Sequence, residues 1–333
     1  MNACGRRRLL AGSVLIPILA ARAGICATGI RRTVRIGTVN PRESATGQAC
    51  HAFAEAVANS PVLSRVLNVE VVTDGILGGE LEMTQACING SLGLAITASN
   101  VVANIVPELG LLDAPFLFRG APHARAVLDS TIGEELTRLM QAKGINNLAW
   151  AENGLRHTTA NKPIREPADF HGLHIRVPQS KVMLEVFRAL GAAPEQLPFP
   201  ELFDALRSGR FEAQENPIAT IVAANFAQVQ KYLNLTGHVY SAAIIIVSQD
   251  LMEDLDSAQR AALVDAARAG SRASREIGSK AERDGLSVLH ASGMTVVEDV
   301  NRSALAKAAE PTLDHIAQCL GAERAAKIRA FPG

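Results

Sequence analysis

The sequence predicts an α/β protein built in two parts, and three features point that way. Apolar runs of strand length alternate with amphipathic helical stretches from residue 33 onward, an order that favours parallel strands with helices on both faces of a sheet. A second alternation begins after Glu152-Asn153-Gly154, a turn suited to a crossing between domains. The 333 residues are 48% hydrophobic, enough apolar mass for two cores when domains hold about 100–200 residues each.

In chain order, a strand at 33–38 leads through Asn40-Pro41-Arg42-Glu43 into a helix. Ala49, Phe53, Ala56 and Val57 share one face of it at i, i+4, i+7 and i+8. A strand at 69–72 and the turns Asp74-Gly75 and Gly78-Gly79 precede a helix near 80–89, and an apolar strand follows at 92–97. Pro107 and Pro115 punctuate the segment around 109–118. Ile132, Leu136, Leu139 and Met140 stripe the next helix, ahead of a short strand at 147–151.

The second set has strands at 155–159, 173–177 and 211–214, with helices at 180–190, 201–208 and 218–229. The β-branched run 242–247 suits a strand buried on both faces and reads as a return to the first part. From Ser257, a fair N-cap, the pattern is helical to His290, and Gly293 is a stop signal. Unbroken, that helix is about 50 Å long at ~1.5 Å per residue; Gly270, Gly278 and Gly285 offer places to kink or break it. A strand at 294–300 and one helix at 304–320 complete the chain.

Residues 1–27 read as an export leader. Arg6-Arg7-Arg8 precedes an apolar run from Leu9 to Ala21, too short to span a bilayer, which needs roughly 20 residues. The Arg-Arg-x-Leu-Leu pattern fits the twin-arginine route, and an ordinary secretory signal fits equally. Cleavage after Ala23 or after Ala27 is compatible with the small residues there; Ile25 makes Cys26 a poor lipidation site. The formal net charge is zero, but the leader carries four arginines and no acid, leaving 29 basic against 33 acidic side chains. A mildly acidic protein offers no broad field for nucleic acid, so an anion must be held by a local site. Cys50, Cys87 and Cys319, an odd set, do not form a disulfide framework; Cys50 and Cys87 fit as small buried side chains on helices.

Signatures of catalysis are missing. The sequence has no Gly-x-Ser-x-Gly elbow, Walker loop, Rossmann fingerprint or His-Glu-x-x-His. Cys50-His51 diverge on one helix by about 100° and cannot form a dyad alone. The eight histidines show no zinc-like spacing. The expectation is therefore a binding protein, not an enzyme, with no cofactor and no metal.

The informative stretch is 154–217. Arg176 sits in the apolar strand Leu173-His-Ile-Arg-Val177, just before Pro178. A guanidinium at a strand's end can project into a cleft and hold a carboxylate by two parallel hydrogen bonds, and a charge in an apolar strand requires a partner. Arg156 begins the equivalent first strand, so both cations can approach one opening; a structural ion pair is its other reading. Asn216 offers an amide to a carboxylate or hydroxyl, or serves the turn before Pro217. Asn40, His51, Thr97, Ser99 and Asn100 lie at strand ends or first turns of the first part, where open α/β sheets bind ligands, although each can equally be structural. Phe116, Phe199 and Tyr240 fit a core better than a ligand.

Several blocks together resemble the solute-binding proteins of tripartite ATP-independent periplasmic (TRAP) transporters, which include C4-dicarboxylate and sialic-acid binders. They are Leu77-Gly-Gly-Glu80, Ala114-Pro-Phe-Leu-Phe118, Gly172-Leu-His-Ile-Arg-Val-Pro178, Gln214-Glu-Asn-Pro217 and Leu235-Thr-Gly-His-Val-Tyr240. One departure is Phe211-Glu-Ala-Gln214, where Asp-Gly is commoner before the polar residue. The resemblance implies a bilobed periplasmic binding protein fold, two α/β domains joined by crossing strands and a long interdomain helix. One lobe is expected at 33–153 with about 242–280, and the other at 154–241 with about 281–333.

Arg176 is implied as the principal partner of a ligand carboxylate, assisted by Arg156 and Asn216; Glu80 and Glu82 lie near a region that sometimes touches ligand hydroxyls. The implied function is periplasmic capture of a small organic acid (a sugar acid, hydroxy acid or keto acid) by a monomer that hands it to a TRAP membrane permease. A receptor for a membrane kinase and an exported enzyme on the same scaffold are the alternatives.

Overall fold

The computed structural model describes residues 31–332, so the leader and its cleavage positions lie outside the described residues. The first strands are short and parallel. β1 (Arg32–Gly37) pairs with β2 (Leu67–Val72) and with β3 (Leu94–Ala98). Between them run α1 (Ala45–Asn59), whose N-cap Ser44 accepts from the Gly47 amide, and α2 (Glu80–Ile88). α3 (Ser99–Val102) continues from β3, and the tight turn Pro107–Asp113 leads to α4 (Ala121–Leu128) and α5 (Thr131–Gln141).

The two strands expected at 147–151 and 155–159 form one strand, β4 (Asn146–Ala160), and Glu152-Asn153-Gly154 is no turn. Its register against β8 (Tyr232–Val247) shifts at Glu152/Gly154, a bulge with Gly154 at φ 129°. Buried polar groups stay in a strand when they find partners. Glu152 is 1% exposed, held by Arg125 Nε and Nη2 at 2.6 and 2.7 Å and by the Tyr240 hydroxyl at 3.0 Å; Ser274 Oγ accepts from its amide.

Beyond β4 come β5 (His174–Val177), α6 (Lys181–Ala189), β6 (Ala193–Gln196), α7 (Leu202–Arg207), β7 (Ala213–Pro217) and α8 (Ile218–Ala223). Asn225, left-handed at φ 55°, ends the helical path expected to reach residue 229. The run 242–247 is the end of the longer β8, buried along that whole segment and antiparallel to both β3 and β4.

After α9 (Gln249–Glu253), α10 runs unbroken from Ser257 to Ala291, capped by Asp256 rather than Ser257: its carboxylate accepts from the Gln259 amide at 2.8 Å. The glycines do not break this helix because they serve close approach. A Cβ on Gly270 would lie 2.8 Å from the Ala49 carbonyl, and one on Gly278 would lie 2.0 Å from Glu152 Oε1. β9 (Thr295–Val297) pairs with β8, and the C-terminus forms two helices, α11 (Arg302–Leu320) and α12 (Ala322–Ala330), instead of one.

The sheet order is β2-β1-β3-β8-β4-β7-β5-β6, with β9 beside β8. β1–β3 stand on one flank and β5–β7 on the other, and β4 and β8 belong to both. Separate apolar clusters fill the flanks: Ile36, Phe53, Leu94 and Ile245 pack together on one, and Ile175, Phe187 and Leu173 on the other. This is the bilobed α/β architecture expected from the sequence. Cys50 and Cys87 are buried free thiols whose pKa values burial pushes up, and Cys319 is exposed.

Candidate functional site

Arg176 ends β5, is 2% exposed, and donates from Nε and Nη2 to one acceptor, the Leu197 carbonyl, at 2.8 and 2.6 Å. Among the described residues no carboxylate lies within ion-pairing distance of it and nothing receives a hydrogen bond from its Nη1. Burial pushes the guanidinium pKa down to about 10, with Glu215 and Glu80 opposing and Arg156 adding to the fall. A buried cation with only a carbonyl for company is costly, and an anion in reach of it repays that cost.

Arg156 is just as buried and fully engaged. It faces Glu215 across the β4–β7 pairing, with Nε on Oε2 and with Nη2 2.7 Å from Oε1. The same Nη2 reaches the Glu215 carbonyl at 2.7 Å and Asn216 Oδ1 at 3.2 Å. Burial opposes its charge, but Glu215 foremost, with Asp113 and Glu80, outweighs it and holds the pKa above the usual arginine value. Glu215 is 0% exposed; burial works against its ionised form, yet Arg156 and His238 hold its pKa below the carboxylate range. His238 Nε2 stands 3.2 Å from Glu215 Oε2, and its Nδ1 2.8 Å from Thr236 Oγ1. Burial lowers the His238 pKa against the pull of Glu215; a neutral ring with its proton on Nε2 donates to Glu215 and accepts from Thr236.

Most of the remaining expected residues are tied by hydrogen bonds of their own. Asn216 donates from Nδ2 to Gln214 Oε1 at 2.6 Å, so its amide belongs to a chain that continues through Gln214 to Thr159. Glu80, at the start of α2, accepts the Ala98 amide at 2.7 Å. Burial raises its pKa while that amide, Arg156 and Arg176 lower it, so it shares the field of both arginines. Glu82 caps its own helix through the Gly79 amide. Asn40 donates to Thr46 Oγ1 at 2.8 Å, and Thr97 accepts from Thr84 at 3.3 Å. Asn100 is 1% exposed with its Oδ1 unpartnered.

His51 sits on α1 with Arg42 and Glu43 as its charged neighbours, and burial lowers its pKa. No hydrogen bond or ion pair among the described residues ties it to the arginines. Phe116 and Phe199 pack at the edges of apolar clusters and Tyr240 supports Glu152. From one flank of the sheet, Asn104 Nδ2 reaches the Gln179 carbonyl of the other at 2.6 Å, so the two flanks touch beside the Arg176 strand. Sequence reasoning did not single out Glu215 or His238. Both were visible in the quoted blocks, next to Asn216 and inside Leu235–Tyr240, but only the fold brings Glu215 to an arginine 59 residues away.

The model of the bacterial extracellular solute-binding proteins, family 7, matches residues 36–319. The chain belongs to that family. A TRAP periplasmic solute-binding protein from Polaromonas sp. JS666, solved bound to D-erythronate, is 38% identical, with a TM-score of 0.88 over 91% of this chain and 100% of that one. Another from Bordetella, with density interpreted as pantoate, is 35% identical with a TM-score of 0.87 over the same shares. The 2,3-diketo-L-gulonate-binding periplasmic protein YiaO of Escherichia coli is 32% identical over 73% of this chain and 74% of its own length. This solute-binding protein thus shares the TRAP-type role and fold of its family, and none of its described helices is long and apolar enough to cross a membrane.

Proposed function

We propose that the protein is a periplasmic receptor that captures a small hydroxy acid of the sugar-acid type by its carboxylate and delivers it to a TRAP membrane permease. The observation that carries this reading is Arg176: buried and, among the described residues, bound only to a carbonyl and without a paired counter-ion, beside an arginine that already has one. Arg176 takes the ligand carboxylate with its planar fork. Arg156 and Asn216 assist from the neighbouring strands, and Glu80 receives a hydroxyl; Asn40, Thr97 and Asn100 complete the wall. His51, on α1, stays a further candidate for that wall.

Residues 33–153 with about 242–280 form one lobe and 154–241 with about 281–333 the other; binding draws them together over the acid. Relatives that hold erythronate, pantoate and diketogulonate support a multiply hydroxylated monocarboxylate as the ligand class. Calorimetric titration with D-erythronate, pantoate and galactonate, and with the uncharged polyol erythritol, tests it. At least one acid binds at micromolar strength, about −8 kcal/mol, and the polyol does not. Equal affinity for erythritol and D-erythronate would remove the carboxylate from the account.

A further inference from the structure

One acid at this site has no role in the reading above. Asp113 closes the turn Pro107–Asp113, is 0% exposed, and neither of its carboxylate oxygens meets a hydrogen-bond donor among the described residues. The residues after it fix where it stands. Phe116 donates its amide to the His238 carbonyl at 2.9 Å, so the chain leaving Asp113 runs against β8 at the histidine that holds Glu215.

Its surroundings are accountable element by element. Arg156 of β4 and Glu215 of β7 act on it in opposite senses, and β8 brings His238 and Tyr240. α3, packed on the same turn, brings only the uncharged Ser99 and Asn100, whose Oγ and Oδ1 are themselves unpartnered. α5, α6 and α11 also pack on the turn and share its apolar cluster through Leu136, Val182 and Leu313. Of the ionic groups on these three helices Glu135 is taken by Arg324 and all the others, His315 and Arg302 among them, are exposed; the turn's own Glu108 is half-buried.

Arg156, the cation that acts on it, is already bound to Glu215. A carboxylate shut away from solvent with no donor, acted on by a cation already paired elsewhere, is far more costly than the neutral acid. We propose that Asp113 holds a proton in the folded protein and so keeps a negative charge out of the anion site formed by Arg156 and Arg176. It is a positioning residue that sets the field and does not touch the ligand. The step is a reversible proton exchange with solvent as the chain folds. The inference rests on the reading that the ligand carboxylate lies at Arg176. Burial, which pushes the Asp113 pKa well above the carboxylate range against the pull of Arg156, agrees with it.

The sign of the linkage follows. The folded state keeps a proton that the unfolded chain releases near the ordinary aspartate value, so stability falls as pH rises between the two. Asp113→Asn keeps the shape and fixes the neutral form. Comparing ligand-free unfolding of this variant and the parent, their unfolding constants should diverge about tenfold per pH unit from about pH 4 toward pH 7, the variant being favoured. Its affinity for D-erythronate at neutral pH should stay within about twofold of the parent's, because removing a charge that is already absent changes nothing.

Parallel pH–stability curves, or a variant that binds D-erythronate about tenfold tighter, would show an ionised Asp113 and overturn the proposal. If Asp113→Asn does not fold, carbon-13 NMR of the aspartate-labelled parent decides. One side-chain carboxyl should stay in its protonated position at neutral pH, and a spectrum in which every aspartate has ionised there overturns the proposal. The stability and NMR readouts need no ligand, so they stand or fall separately from the carboxylate clamp.

Discussion

Arg156 and Arg176 are equally buried, at 2% exposure each, and lie on strands that flank the same strand, β7. Their surroundings differ completely. Around Arg156 the crossing strands close a network in which Glu215, Asn216, Ser241, His238 and Thr236 answer one another. Around Arg176, one backbone carbonyl takes two donors, and among the described residues no carboxylate forms an ion pair with it. Removing one partner of a buried pair is costly, whereas a charge left unpaired awaits its counter-ion. The same residue type at the same depth is thus ion-paired at the crossing and, among the described residues, without a paired carboxylate at the end of β5.

The comparison breaks first at Glu215. Glu215→Ala strands Arg156 as a second uncompensated cation and should cost about 3–5 kcal/mol of unfolding free energy, read by denaturant titration without ligand. Because Arg156 and His238 hold the Glu215 pKa below its unfolded value, its contribution is present above the ordinary glutamate pKa. That contribution is lost as pH falls through the folded value. Glu215→Gln should therefore flatten the acid limb of the stability profile, and an unchanged acid limb would count against the pairing.

Arg176→Lys is the next largest effect. It keeps the charge but gives up the fork, so affinity for the bound acid should drop by about 2 kcal/mol, roughly thirtyfold. Full affinity in calorimetry would mean that a point charge suffices. Asn216→Ala should matter least, at about 1 kcal/mol, because its Nδ2 is already spent on Gln214; a loss as large as that of Arg176→Lys would make the amide a principal contact.

Much of this was legible in the sequence, and what was not has physical causes. Strand and helix positions followed from apolar spacing, and Arg176 stood out because a charge interrupts an apolar strand. The reading of Arg156 as an ion-pair partner also holds, through Glu215. Glu152-Asn153-Gly154 has the composition of a turn, but its polar groups are satisfied by Arg125, Tyr240 and Ser274, all distant in sequence, and so it stays in a strand. Gly270, Gly278 and Gly285 looked like breaks in α10 because the helix pattern cannot show the Ala49 carbonyl, the Glu152 carboxylate and the Ile218 side chain pressed against them. Glu215 and Asp113 escaped notice for the same reason: only tertiary contact tells a partnered buried acid from an unpartnered one.

The most direct test of the division between the two arginines is Arg176→Ala, measured twice on the same preparation: melting without ligand, and calorimetric affinity for the acid that the parent binds. The account predicts ligand-free stability within about 1 kcal/mol of the parent, since an unpaired buried charge has been removed. It also predicts an affinity loss of about 3 kcal/mol or more, at least a hundredfold, from two charge-assisted bonds. A variant that melts far below the parent while the folded fraction binds the acid as tightly as before would contradict it, and would make Arg176 the structural arginine of the pair.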